Sequence, residues 1–213
     1  ACVSENAVAD TAQNLGLAVR VCGEAYPLRQ TAWKSLLDRA KLSGSVLPKL
    51  SREKLADVLN ECFKLHSSDA LALVRCEKVS ALHSGDESDY SVLPIDELLS
   101  TVSAKLNERF PGRVFVSGYT DHALTGAEWT MPGQRDELLK TYEAMLTARG
   151  KGVMAARLMP GIRFMTSDTG VSSAKVSAML MGTQYPIHIG GCVEVEHRHK
   201  STVADFELVM DQL

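Results

Sequence analysis

The hydrophobic period of this chain changes near Ala70, and that change constrains its fold more than any other feature. Before it, apolar residues recur at three- and four-residue spacing. After it, they alternate or gather in short runs between turn formers. Over residues 28–42, Leu28, Ala32, Leu36 and Ala40 form one stripe with Trp33 and Leu37 beside it, and Gly44 follows as a stop signal. A second helix is expected after Ser51, a good N-cap, with Leu55, Val58, Leu59, Cys62 and Phe63 on one face. A further stretch, 4–15, reads as a helix closed by Gly16, which makes the whole first third helical.

Past residue 70 the expected elements are mostly strands. The run 70–84 (ALALVRCEKVSALHS) reads as a bent or paired strand, 114–119 and 127–131 as a hairpin, and 153–164, 174–181 and 187–199 as three more strands. Helices are expected to open at Pro94, at Asp136 and at Thr202, the first with acids in its opening turn. This order predicts an α+β protein: a helical N-terminal portion, 1–66, then a mainly antiparallel sheet with interspersed helices over 70–213, all in one domain spanning 1–213.

Composition narrows the functional classes. The net charge of −3 argues against a surface that embraces phosphates everywhere, while leaving room for a local basic stripe. Five scattered cysteines with no C-x-x-C pair form neither a disulfide framework nor a zinc knuckle, which points to free thiols in a reducing compartment. No apolar run is long enough to span a membrane, so no membrane partner is expected, and the start at Ala1 rather than Met suggests a processed or trimmed chain. There is no Walker loop, no G-x-G-x-x-G, no G-x-S-x-G, no H-E-x-x-H and no zinc-deaminase pattern. Catalysis therefore has little support, and no cofactor is expected apart from a possible metal.

Several polar residues stand out. In Val193-Glu-Val-Glu-His-Arg-His, strand alternation would place His197 and His199 on one side, where both could ligate one metal with Asp168, His188 or a carboxylate as third ligand. Ser167-Asp168-Thr169-Gly170 resembles the aspartic-protease nucleus only loosely, because Thr166 and Ser167 intervene after the apolar strand; a structural turn is the simpler reading. Arg75 lies between Val74 and Cys76 in an apolar run, so it must either pair with an acid or face a groove. With Arg157, Arg163, Lys175 and Arg198 it could form a basic sheet surface for single-stranded nucleic acid, with Phe164, Tyr185, Tyr119 and Trp129 as the few aromatic companions. Lys34, Arg39, Lys41, Lys49, Arg52 and Lys54 concentrate on the two N-terminal helices. The connection of 43–50 is nevertheless longer than a helix-turn-helix turn, and ordinary packing explains the pair.

Short pieces in a fixed order also carry a family resemblance. They are Tyr26-Pro-Leu-Arg-Gln-Thr-Ala, Leu59-Asn60, Leu73-Val74-Arg75, Ser84 and Tyr90 ahead of Leu93-Pro-Ile-Asp-Glu-Leu-Leu, Thr166-Ser-Asp-Thr-Gly-Val-Ser-Ser, His197, and Ser201-Thr-Val-Ala-Asp-Phe. In these the chain resembles a large phage- and plasmid-borne family of proteins built on a domain of unknown function. It departs from the pattern in the acidic loop between Leu82 and Tyr90, and in its end at Leu213, past which members often continue. The resemblance implies a mobile-element protein of the bacterial cytoplasm and implies no reaction.

These readings lead to three expectations. The first is a non-catalytic protein that binds nucleic acid, most simply single-stranded, through the strand cations. The second is a protein-binding module that inhibits or regulates a host defence or nucleic-acid-processing complex. The third is a metal-dependent hydrolase built on His197, His199 and Asp168.

Overall fold

The computed structural model describes residues 2–4, 14–65, 70–84, 90–151, 158–182 and 186–212. The chain divides into two compact units, one of Ala1–Ser91 with Asp168–Val171 and Arg198–Lys200, the other of Val92–Ser167, Ser172–His197 and Ser201–Leu213.

The first unit is not the helical region that its first third predicts. It opens with strands β1 (Cys2–Ser4), β2 (Asn14–Val21) and β3 (Glu24–Arg29) before helices α1 (Gln30–Ala40) and α2 (Arg52–Leu65), and it ends with the hairpin β4 (Ala70–Arg75) and β5 (Lys78–Ser84). The expected helix over 4–15 is overturned at both ends, since Ser4 lies in β1 and Asn14 and Leu15 in β2; residues 5–13 lie outside the described residues. The sheet order is β1-β2-β3-β5-β4, with every described pairing antiparallel except β3 with β5.

Gly16 explains the error. It does not stop a helix; it sits in β2 at φ +68, where the register between β2 and β3 shifts, as a glycine bulge requires. A side chain there would meet the Arg52 guanidinium at 2.3 Å. Cys22 and Gly23 both take positive φ in the two-residue β2–β3 turn, the geometry that suits the twist of a hairpin. Pro27, which argues against a strand in sequence, lies just before Leu28, the residue at which β3 joins β5.

The helices then do what their periodicity predicts. Leu36, Ala32 and Ala40 of α1 and Leu55, Ala56 and Leu59 of α2 bury one face each against Leu17, Leu28, Val79 and Leu82 of the sheet. A 3-10 turn, Leu47–Lys49, lies in the connection between them. The pair therefore covers a sheet, and sheet packing accounts for its apolar faces.

The second unit runs α3 (Ile95–Arg109), β6 (Val114–Thr120), β7 (Thr125–Thr130), α4 (Arg135–Ala148), β8 (Met159–Thr166), β9 (Ala174–Met181), β10 (Ile187–Val195) and α5 (Val203–Met210). Its sheet is wholly antiparallel in the order β10-β9-β8-β7-β6. Alternation sends Trp129, Ile162, Phe164 and Val176 to one side, where Leu98, Val102 and Leu106 of α3 and Phe206 and Met210 of α5 close the core. The helix α5 is set by a capping box in which Thr202 and Asp205 satisfy each other's backbone N–H. The result is two separate five-stranded sheets, each packed with its own helices, in place of one sheet behind a helical third. Among the described residues no helix is long and apolar enough to cross a membrane.

Phe164 is fully buried and meets Phe206 edge-on, with ring centroids 6.1 Å apart. Phe164→Ala should lower unfolding free energy by about 3–5 kcal/mol in a denaturant titration, and Phe164→Leu by clearly less. Equal losses from both would place the contribution of this site outside packing.

Candidate functional site

The densest polar cluster among the described residues is built around Asp168, on the turn that follows β8, and all of its members belong to the first unit. Arg75 at the end of β4 places its guanidinium on Asp168 Oδ2, a contact that spans 93 residues of chain. Two other side chains hold the backbone carbonyl of the same residue. His83 of β5 approaches it through Nε2 at 2.8 Å, and the Tyr90 hydroxyl donates to it at 3.1 Å. Because a carbonyl only accepts, His83 carries its proton on Nε2 in this arrangement. The His83 and Tyr90 rings lie nearly parallel, 3.6 Å between centroids.

Electrostatics make this cluster a clamp more than a reactive centre. Burial pushes the Tyr90 hydroxyl up to about 12, the charge of Asp168 adds to the rise, and Arg75 offsets part of it. Tyr90 is thus a neutral donor at ordinary pH and no base. Asp168 Oδ1 is shielded from solvent and has no hydrogen-bond partner among the described residues, so the carboxylate depends on Arg75 for its stabilisation. Gly170 takes φ +76 in the same turn, which a side chain would resist. The sequence reading singled out Arg75 and Asp168 for different purposes, and the structure brings them together as partners. It missed His83 and Tyr90; the available signal was a histidine closing an apolar strand and the place of Tyr90 among the family-like pieces.

The second unit positions the other candidates. Arg163 and Lys175 project from the face of the sheet opposite the α3–α5 core, on adjacent strands where Met165 pairs with Lys175 and Arg163 with Ser177. They share a face, as a basic surface requires, but acids share it too. Glu128, directly opposite Arg163 on β7, accepts its Nε at 2.6 Å and its guanidinium nitrogen at 2.5 Å. Glu194 lies opposite Lys175 on β10. Tyr119 of β6 joins this face and lies over Gly126, where any side chain would collide with its ring. Of the expected aromatic companions, Phe164 and Trp129 are core residues. Arg157 and Tyr185 lie outside the described residues. Arg198 is exposed and groups with the first unit.

The proposed metal ligands follow separate courses. The strand β10 ends at Val195, so alternation does not carry through to His197 and His199. His197 is buried and its Nε2 lies 3.0 Å from the Thr166 hydroxyl. His199 is exposed in a left-handed turn with Lys200, and Asp168 is engaged by Arg75. Among the described residues no three His, Cys, Asp or Glu side chains are grouped to hold a metal. Comparison with protein-family models, curated proteins and solved structures finds no match.

Two consequences can be measured. Asp168→Asn should destabilise by about 1–3 kcal/mol because it leaves the Arg75 charge without its anion, and a double-mutant cycle with Arg75→Met should show strong coupling. Additive losses would mean that the pair contributes nothing specific. The folded-state value of Tyr90 is raised, so its stabilising contribution is complete below pH 10 and is lost as pH rises from about 10 towards about 12. Tyr90→Phe should flatten that part of the stability–pH curve, and an unchanged slope would contradict the assignment.

Proposed function

We propose that this chain is a protein-binding module of a phage or plasmid, acting in the bacterial cytoplasm without catalysis of its own, and that its acidic second unit engages a partner with a basic surface. A host defence or nucleic-acid-processing complex fits that description. The supporting observation is the distribution of charge. The second unit holds ten lysines and arginines against thirteen aspartates and glutamates, whereas the first is balanced at thirteen of each, so the net charge of −3 resides in the second.

Four of the ten cations of that unit already hold carboxylates. Lys105 lies 2.8 Å from Asp211 and 3.4 Å from Glu207, Arg109 reaches Asp211, Arg135 reaches Asp136, and Arg163 is held by Glu128. The exposed pairs among these add little to stability. Their importance here is that these four cations already have anions. Nucleic acid binds by exchanging mobile counterions for lysine and arginine, and a tethered carboxylate is not released in that exchange. The same acidic surface would steer a basic protein partner and weaken with salt. The family resemblance supports the mobile-element origin and the compartment.

The test is capture from bacterial lysate by the tagged full chain, with and without nuclease, at about 50 mM and about 500 mM salt. The reading predicts nuclease-resistant capture of a discrete complex at low salt, reduced at least about tenfold by reversing the exposed α4 acids (Glu137→Lys with Glu143→Lys). Capture that vanishes with nuclease would transfer the function to nucleic-acid binding. Capture unaffected by the reversal would remove the acidic surface from the account.

A further inference from the structure

The strand β6 is the outer strand of the second sheet, and all seven of its residues are exposed. Its sequence, Val-Phe-Val-Ser-Gly-Tyr-Thr, contains no charge and no proline, the two residue classes that ordinarily protect a sheet edge. Val114, Phe115, Val116 and Tyr119 are each 44–60% exposed. A register shift between Phe115 and Ser117 protects part of the edge and leaves 117–120 in regular pairing with β7.

The direction of the free backbone groups follows from the turn that ends this hairpin. Asp121 N donates to Leu124 O at 2.9 Å, so Asp121 and Leu124 form a hydrogen-bonded pair. Bonded and non-bonded pairs alternate along an antiparallel ladder. Tyr119 with Gly126 and Ser117 with Glu128 are therefore the bonded pairs, and Gly118 and Thr120 turn their N–H and C=O groups outward.

We propose that this edge pairs antiparallel with the same edge of a second copy of the chain, centred on Tyr119, to form one continuous ten-stranded sheet. In that register Gly118 and Thr120 of one copy exchange backbone hydrogen bonds with Thr120 and Gly118 of the other. The two Tyr119 residues face each other at a non-bonded position, where opposed Cα atoms lie closest. An identical copy is the occupant because a neutral strand opposes no like charges to itself, and because the two-fold pairing satisfies the free groups of both edges together. In this register residues 114–116 lie opposite the partner's turn residues 122–124, so each copy buries well under the about 800 Å² per partner of a stable interface of standard size. The dimer is accordingly weak, with a dissociation constant on the order of 10–100 µM. This inference rests on the edge strand and stands apart from the charge distribution that supports the partner reading.

Two measurements on the full chain test it. Sedimentation from about 5 to about 300 µM should show a monomer–dimer equilibrium in that range, abolished by Thr120→Lys, which places a charge on the edge, and retained by Thr120→Val, which removes only the hydroxyl contact with the buried Thr125. In a background with the exposed Cys22, Cys76 and Cys192 changed to serine, Tyr119→Cys should form an intermolecular disulfide under mild oxidation, since Cα atoms about 4.5 Å apart suit the bond, whereas Val114→Cys should not. A monomer throughout the range, or a dimer indifferent to Thr120→Lys, would overturn the proposal. A dimer that cross-links at residue 114 and not at 119 would overturn the register. Charge reversal on α4 should leave the dimer unchanged, which keeps this test separate from that of the partner.

Discussion

A guanidinium on a half-buried strand has lost much of its water but keeps its charge, so the fold must supply an anion within reach. Arg75 and Arg163 meet this demand by the same means and at different range. Arg163 takes the nearest solution, Glu128 directly across the ladder from β7. Arg75 takes its anion from Asp168, far along the sequence, on a turn whose carbonyl is also held by His83 and Tyr90. That second pair brings Asp168–Val171 into the first unit and fixes where the Asp-Thr-Gly turn lies.

The same demand supports the proposed reading over phosphate binding. Two cations that sequence reading offers to phosphate, Arg75 and Arg163, are held by carboxylates, and Lys175 shares its row with Glu194. Asp168, offered to a metal, is the anion in one of these pairs. What is left over is negative, and it lies in the second unit. Phosphate recognition would require these contacts to be broken first, at the cost of leaving a carboxylate in a partly desolvated site. A basic protein surface requires no such exchange.

Much of the local structure was legible. The stripes of Leu36 and Leu59, the proline-and-acid start of α3, the alternation of β9 and the Thr202–Asp205 cap follow from spacing and capping chemistry that a sequence displays directly. The first sheet was not legible. Its hairpin β2–β3 is marked by a glycine bulge and a Cys-Gly turn, and both resemble the stop signals of a helix when the partner strand is unknown. The need for an acid beside Arg75 could be read from Val74-Arg75-Cys76, but the identity of that acid could not, because local periodicity carries no information about a residue 93 positions away. Glu128 escaped notice for a related reason: it faces Arg163 only once the register of β7 and β8 is set.

The central claim is that Arg75 and Arg163 are already neutralised from within, and a fluorescence anisotropy titration tests it most directly. The probe is a labelled single-stranded oligothymidylate of about 20 nucleotides at about 50 mM salt, the condition that favours phosphate contacts most. The account predicts no saturable binding by the native chain, and a measurable gain when Glu128→Gln releases Arg163. Saturable binding by the native chain, with an affinity that falls steeply with salt, would contradict it.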